Sequence, residues 1–240
     1  GVGAAATYKI KNEDDLKNFY KIGFQVPYIM EEFIQGDIIS FDGVCDSNSN
    51  VVFCDNEIFP PSIMDIVNEE LDLSYYVNKE VPMDIYEIGK KVLKAFNIKS
   101  RYFHLEFFRL SKDKPGLGHI GDIVALEVNM RPPGGYTPDM INFAQSVDTY
   151  QIYADVICYD KVINVSFNHP KYYCLYVGRR DKYNYVYSSE EIIKEHSPSI
   201  VMHERMSDAL AGALGNEFFV ARFNDLEQLN KFRSMALLKK

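Results

Sequence analysis

The 240-residue sequence contains no apolar run of the ~18 residues that a membrane-spanning helix needs. It is also short of positive charge, because 26 Lys and Arg residues stand against 34 Asp and Glu residues and leave a net charge of -8. A general nucleic-acid binder needs a basic face. We therefore expect binding neither to membranes nor to nucleic acid, although this charge leaves room for a local basic site for phosphate.

Cysteine is scarce and is not spaced for metal binding. The four cysteines form no C-x-x-C pair and no zinc-type spacing: Cys45, Cys54, Cys158 and Cys174. We interpret them as free thiols in a reducing cytoplasm. The sequence shows no signal peptide. It begins "GVGAAATYKI" without an initiator Met, which predicts that the chain is part of a longer polypeptide.

Hydrophobic residues at 47% and charged residues at 25% are ordinary for a soluble globular protein. Asn12 followed by three acidic residues predicts a helix start, and a 3.6-residue apolar period predicts a second helix after Pro82. A third helix is predicted over residues 139–158. Strands are predicted for "VPYIMEEFI", "IISFDGVC", "VVFCDNEIF", "SRYFHLEFFRL" and "DIVALEVNM", with a turn over 35–37 and an irregular stretch over 60–82.

The character of the sequence changes near residue 159. Short strands rich in Tyr and Val alternate there with two small helices, which predicts a separate small α+β unit packed on the main body. Ser188 with Glu191 predicts a capping box for the first of these helices. Asn224 with Glu227 predicts a related cap for the second.

The stretch "ALEVNMRPPGG" (125–135) is a strand with polar residues at alternate positions. Glu127, Asn129 and Arg131 therefore share one face, as do His104 and Glu106 on the neighbouring strand. If the hairpin is in register, Glu106 and Glu127 converge into an all-oxygen set that suits Mg²⁺ or Mn²⁺. The alternative is a solvated face of an antiparallel sheet, but the Pro-Pro-Gly-Gly loop favours a site.

Four segments resemble those of ATP-grasp enzymes and occur in the same order. "GVGAAATYKI" resembles the glycine-rich phosphate loop, and "MEEFIQGDIISFDG" resembles the hinge strand. "FHLEFF" and "ALEVNMRPPGG" resemble the two metal-binding strands. The resemblance covers about residues 1–157. It implies an α+β fold with an antiparallel sheet and packed helices. The chain would comprise the rest of the small lobe (1–30), the large lobe with the nucleotide and metal site (31–158) and a small C-terminal α+β domain (159–240).

The resemblance also implies a role for each matched residue. Glu106, Glu127 and Asn129 would bind Mg²⁺ or Mn²⁺, and Arg131 would be catalytic, steadying the transferred phosphoryl group. Apart from the resemblance, the position of His104 on the Glu106 face leaves two interpretations, a partner of Glu106 or a histidine packed in the sheet. The remaining candidates would bind ATP. Gly1 and Gly3 would contact the phosphates, and the adenine would be lined by Glu31, Glu32, Phe33 and Ile34. Many family members have an acidic residue for the ribose at the position of Ile38, and here the neighbouring Asp37 would replace it.

The implied activity is that of an ADP-forming ligase, which activates a carboxylate as an acyl phosphate for attack by an amine or similar nucleophile. The implied partners are the small-molecule substrates and the N-terminal part of the same polypeptide, which should carry the two ATP-binding lysines and without which the chain should be inactive. A homodimer is an open possibility. Two alternatives stand beside the ligase: a nucleotide-binding regulator without ligase activity, and a bicarbonate-activating carboxylase or an enzyme of the carbamoyl-phosphate synthase type.

Overall fold

The computed structural model describes residues 7–24, 26–59, 66 and 71–240. Within these ranges, nine strands form one antiparallel sheet. The strands are β1 Gly36–Cys45, β2 Val51–Asp55, β3 Glu57–Phe59, β4 Leu73–Val77, β5 Arg101–Leu110, β6 Ile123–Asn129, β7 Tyr173–Arg179, β8 Ile200–Arg205 and β9 Glu217–Phe223. The helices are α1 Glu13–Lys21, α2 Met83–Ala95, α3 Thr137–Gln145, α4 Thr149–Tyr159, α5 Ser189–His196, α6 Asp208–Leu214 and α7 Leu226–Ala236.

The sheet runs in the order β6-β5-β1-β3-β4-β7-β9-β8, and β2 also pairs with β1. The longest ladder joins β1 to β5 over ten residue pairs, from Gly36 with Leu110 to Cys45 with Arg101. β6 adds to the free side of β5 and is one edge of the sheet. No helix in the described ranges has the length and apolar character needed to cross a membrane.

Four sequence-based assignments around these strands are wrong. The stretch "VVFCDNEIF", predicted as one strand, forms the two strands β2 and β3, which are separated at Asn56. Residues 26–35 form neither strand nor helix, because the described part of the chain offers them no strand partner. Gly36 begins β1 and is not part of a turn. Within the stretch predicted to be irregular, Leu73–Val77 forms β4, which is mostly buried and pairs with β3 and β7.

One face of the β1–β5 pair is apolar and is covered by α2. Ile39 and Phe41 of β1 pack there with Ile85 and Leu93 of the helix, as the 3.6-residue period predicted. α2 comes close to the sheet because residue 89 is glycine. A Cβ built at Gly89 would overlap the Phe41 ring.

The opposite face of the sheet is covered by α3 and α4, which the sequence predicted as one helix. The two helices separate at Ser146, whose φ of 53° is left-handed and ends α3. Asp148 then begins α4, because its side chain accepts hydrogen bonds from the backbone N–H groups of Tyr150 and Gln151. Apolar residues of both helices, among them Met140 and Ile152, pack on this face.

The strands after residue 159 extend the same sheet, since β7 pairs with β4 from Cys174 with Val77 to Gly178 with Leu73. Helices α5 and α7 cover the outer part of the sheet with a core of their own. The boundary between a large lobe and a C-terminal domain at residue 158 stays a prediction. The described part of this tail holds three helices, one more than the sequence predicted.

The helix caps are confirmed except for one. Asn12 caps α1, and Ser188 forms a capping box with Glu191 at α5. At α7 the cap is Asp225, one residue after the predicted Asn224, and its carboxylate accepts from the Gln228 N–H at 2.8 Å.

We expect Asp225→Ala to lower the free energy of unfolding by about 1 kcal/mol, because it removes the acceptor for an otherwise unpaired N–H of α7. The matched control is Asn224→Ala, which leaves that cap in place and should change stability by less than about 0.5 kcal/mol. Urea unfolding of both variants measures the difference. Equal losses in the two variants would contradict the assignment of the cap.

Candidate active site

The hairpin of β5 and β6 brings the predicted carboxylates together, as the sequence predicted. Glu106 and Glu127 are direct partners in the ladder, so their side chains lie next to each other on one face of the hairpin. Asn129 lies two residues further along β6, opposite His104. Arg131 follows the strand, and its positive charge acts on the Glu106 carboxylate.

A row of polar residues crosses the sheet beside this pair. Asp55 on β2 pairs with Asp42 on β1, Asp42 pairs with His104 on β5, and His104 pairs with Asn129 on β6. Asp55 and Asp42 are fully buried, His104 is 7% exposed, and Asn129 is half-buried. The row therefore runs from the interior under α3 and α4 to the open edge of the sheet.

His104 connects the buried part of the row to the predicted metal site. Its Nδ1 lies 2.5 Å from Asp42 Oδ1, and its Nε2 lies 3.6 Å from Glu106 Oε1. Burial alone would lower the pKa of His104, but the charge and hydrogen bond of Asp42, with help from Glu106 and Glu57, raise it to about 11. The imidazole is therefore a cation at neutral pH.

The Glu106 carboxylate is in turn held in its charged form. Burial would raise the pKa of Glu106, but hydrogen bonding and charge from His104, and then Glu127 and Arg131, lower it below its usual value. A charged carboxylate at the edge of the sheet is the form that binds a divalent cation.

The sequence analysis missed the buried acids behind His104. Asp42, Glu57 and His104 have potential ligand atoms within 4.8 Å of one another, and all three residues are buried. Ser40 Oγ donates to Asp42 and accepts from the Glu57 N–H at 2.8 Å. The available signal was spacing, because Ser40 and Asp42 sit two apart in a strand and therefore share a face.

Burial raises the pKa values of Asp55 and Glu57 well above their usual range, and the charge of Asp42 raises both further. A carboxyl group with a raised pKa binds more protons in the folded state than in the unfolded state. The free energy of unfolding therefore falls as pH rises above the unfolded-state pKa of the group.

We expect Asp55→Asn to flatten this pH dependence, because asparagine resembles the protonated acid in shape and cannot ionise. One carboxyl group contributes a slope of up to about 1.4 kcal/mol per pH unit. Urea unfolding at pH values from 5 to 9 measures the slope for the parent and the variant. Asp46→Asn is the control, because burial raises the pKa of that half-buried carboxyl less than hydrogen bonds from Asn50 and Asn48 lower it. A parent slope that Asp55→Asn leaves unchanged would contradict the assignment.

The predicted adenine-binding segment lies directly before β1. Glu31, Glu32 and Phe33 are exposed, and Ile34 is half-buried. Glu32 Oε1 lies 2.6 Å from Lys114 Nζ, and the Gln35 carbonyl accepts from the Ser111 N–H. The segment is thus fixed to the loop that joins β5 to β6. Gly1 and Gly3 lie outside the described residues.

Asp37 is not brought together with the other candidates. Alternate residues of a strand share a face. Ser40 and Asp42 of β1 face the polar row, so Asp37 lies on the opposite face with Ile39 and Phe41. Ile38 is on the side of the site and packs half-buried against the core under α3 and α4. A ribose contact by Asp37 stays a prediction.

The residues at the open edge fit a hard divalent cation. Two carboxylates in direct contact repel each other unless a proton or a cation lies between them, and Glu106 is held in its charged form. Asn129 adds a side-chain amide, whose oxygen is a ligand of the same hard kind. Oxygen donors of this kind suit Mg²⁺ or Mn²⁺ and suit zinc poorly.

The sequence matches no protein-family model and no curated protein. Its structure is similar to those of several solved ligases and synthetases. The N5-carboxyaminoimidazole synthetase from Staphylococcus aureus, solved with ADP, has a TM-score of 0.65 at 15% identity, over 96% of this chain and 57% of that one. The L-amino acid ligase from Bacillus licheniformis has a TM-score of 0.59 at 12% identity, over 84% and 52%.

A third similar structure is the phosphoribosylglycinamide synthetase from Anaerococcus prevotii. It has a TM-score of 0.56 at 12% identity, over 96% of this chain and 60% of that one. The chain spans between 52% and 60% of the length of these three solved proteins. The fold that these enzymes share is the ATP-grasp fold, and the chain described here has it.

Proposed function

We propose that this chain is part of an ATP-dependent, ADP-forming ligase, which activates a carboxylate as an acyl phosphate and lets an amine or similar nucleophile displace the phosphate. The observation that carries the proposal is the contact between Glu106 and Glu127 at an open sheet edge, with Asn129 and Arg131 beside it. The similarity to solved ligases and synthetases supports the same general reaction.

Each residue of the site has a role that its chemistry suits. Glu106, Glu127 and Asn129 would hold the divalent cation, which when bound neutralises charge on the ATP phosphates. Arg131 presents a guanidinium that can hold phosphoryl oxygens through two parallel hydrogen bonds. These residues contribute positioning and electrostatic stabilisation, and none of them needs to form a covalent bond.

The distance along β1 supports ATP as the nucleotide. The predicted adenine-binding segment precedes Gly36, the first residue of β1, and Ser40 is paired with Glu106. Four residues of strand span about 13 Å at ~3.3 Å per residue. This separation is comparable to the length of an extended nucleoside triphosphate, so base and phosphates can reach the two ends of the strand segment. A similar solved synthetase in complex with ADP agrees with this use of the fold.

The test is ADP release by the intact protein with ATP and Mg²⁺, in the presence of pools of amino acids and of small carboxylates. Stimulation by one pool, lost when Glu127 is replaced by Ala, is the expected result and begins to name the substrates. Mg²⁺-dependent ATP binding with no stimulation by any pool would contradict the ligase and favour the nucleotide-binding regulator. Stimulation by bicarbonate alone would favour the carboxylase type.

A further inference from the structure

His104 and Glu106 lie on the same face of β5, two residues apart, so the imidazole is fixed directly beside the predicted metal ligand. The Nε2 atom of His104 is 3.6 Å from Glu106 Oε1, and the Glu106 side chain is 19% exposed. The two residues are therefore in contact at the point where the buried row meets the open edge. In the described ranges no Lys or Arg lies within ion-pair distance of Glu106, so His104 is its basic neighbour.

The other side of the imidazole is held rigidly. Nδ1 lies 2.5 Å from Oδ1 of Asp42, and Asp42 has no exposed surface. Ser40 Oγ donates to the second carboxylate oxygen of Asp42. The Ser40 hydroxyl is itself fixed by the Glu57 N–H. Each group in this series is held by the one behind it, and the last is backbone of β3.

This arrangement matches the way proteins orient metal-binding carboxylates. A ligand side chain that is free to rotate must lose rotamer freedom when the metal binds, whereas one that contacts a rigidly held neighbour is already oriented. Among the described residues β6 is the edge strand of the sheet, and Glu127 is exposed there with no further strand beside it. Glu106 is the better-oriented of the two carboxylates.

We infer that His104, anchored by Asp42, is a positioning residue that holds the Glu106 carboxylate in the orientation needed to bind the divalent cation. The inference rests on the proposed function, because it requires that Glu106 be a metal ligand. In this inference the buried residues Ser40 and Asp42 fix the orientation of the His104 ring that contacts Glu106.

Two substitutions of one residue separate positioning from packing. The side-chain amide of Gln reaches about as far as histidine Nε2, so His104→Gln keeps a donor for Glu106. The side-chain amide of Asn reaches about as far as Nδ1, so His104→Asn keeps a donor for Asp42 and leaves Glu106 without one. Both variants lose the ring and should lose thermal stability, and His104→Gln should lose more, because it also leaves the buried Asp42 carboxylate without its histidine donor.

The measurement is the dissociation constant of Mn²⁺ for the intact protein with ADP present, from the electron paramagnetic resonance signal of free Mn²⁺. We expect His104→Asn to weaken Mn²⁺ binding 10- to 100-fold, the effect typical of lost support around a metal ligand. We expect His104→Gln to stay within about threefold of the parent. Equal Mn²⁺ affinity in the parent and both variants would overturn the inference, and so would equal weakening in both.

Failure of the inference is distinguishable from failure of the proposed function. If the parent binds Mn²⁺ no better than Glu127→Ala does, the metal site itself is wrong. If Glu127→Ala abolishes binding while His104→Asn binds like the parent, the metal site stands and the positioning role falls. If His104→Asn does not fold, Asp42→Asn is measured instead. This substitution keeps the shape of the Asp42 side chain that holds His104 and removes its negative charge. Parent-like Mn²⁺ affinity in Asp42→Asn would then overturn the inference.

Discussion

Replacement of Glu127 by Ala is expected to lower ADP release by the intact protein about 100-fold or more. Glu127 and Glu106 face each other across the hairpin and would share one cation. Loss of one ligand removes several kcal/mol of charge stabilisation, and each 1.4 kcal/mol corresponds to a tenfold change in rate. The measurement is ADP release at saturating ATP with Mg²⁺ varied from micromolar to millimolar concentrations.

Two further variants make this expectation specific. Glu106→Gln should show a comparable loss, because it removes the partner carboxylate while keeping its size. Glu87→Gln is the matched control, since Glu87 is on α2 at the other face of the sheet, where it pairs with Lys90 at 3.0 Å. It should retain parent activity. A Glu127→Ala variant that turns over at the parent rate would show that the metal site is wrong.

Replacement of Gly89 by Ala is expected to lower the free energy of unfolding by about 1–3 kcal/mol, the cost of overpacking a core. The added methyl group would overlap the Phe41 ring, and Phe41 has no exposed surface through which it could move aside. A loss of stability would be informative, because Gly→Ala within a helix normally raises the free energy of unfolding by up to about 1 kcal/mol. Urea unfolding measures the difference.

Gly212 provides the control for this substitution. It lies within α6, and a Cβ built there has no neighbouring atom within 4 Å. Gly212→Ala should therefore show the normal effect and raise the free energy of unfolding by about 0.4–1 kcal/mol. If both variants are stabilised, the close approach between α2 and β1 is wrong. If both are destabilised, the effect does not come from Phe41.

The sequence predicted the parts of this fold that depend on local patterns. Alternating polar residues placed Glu106 opposite Glu127, and the apolar period of α2 identified the face that packs on β1. The capping box at Ser188 was also visible, since its two residues interact within one turn. In each of these cases the residues that make the contact are close in sequence or lie in one hairpin.

The parts that the sequence did not predict depend on contacts between distant elements. β4 has too little alternation to be recognised alone, and it is a strand because β3 and β7 flank it. The buried acids were missed for the same reason, since the β1–β5 and β1–β2 ladders bring His104 to Asp42 and Asp42 to Asp55. A single sequence does not specify which strands become neighbours across such distances.

The register of β6 contains one irregularity. Glu127 pairs with Glu106, but the next pair joins Ala125 to Phe107, so Leu126 is an extra residue in the strand. Strict alternation would put Ile123 and Val128 on opposite faces, yet both pack against the core under α2.

Deletion of Leu126 would therefore leave every residue pair between β5 and β6 intact. Loss of Val128 would shift Asn129 and Arg131 by one position and turn them away from Glu106. A one-residue deletion in β6 is thus tolerable at Leu126 and disruptive at Val128.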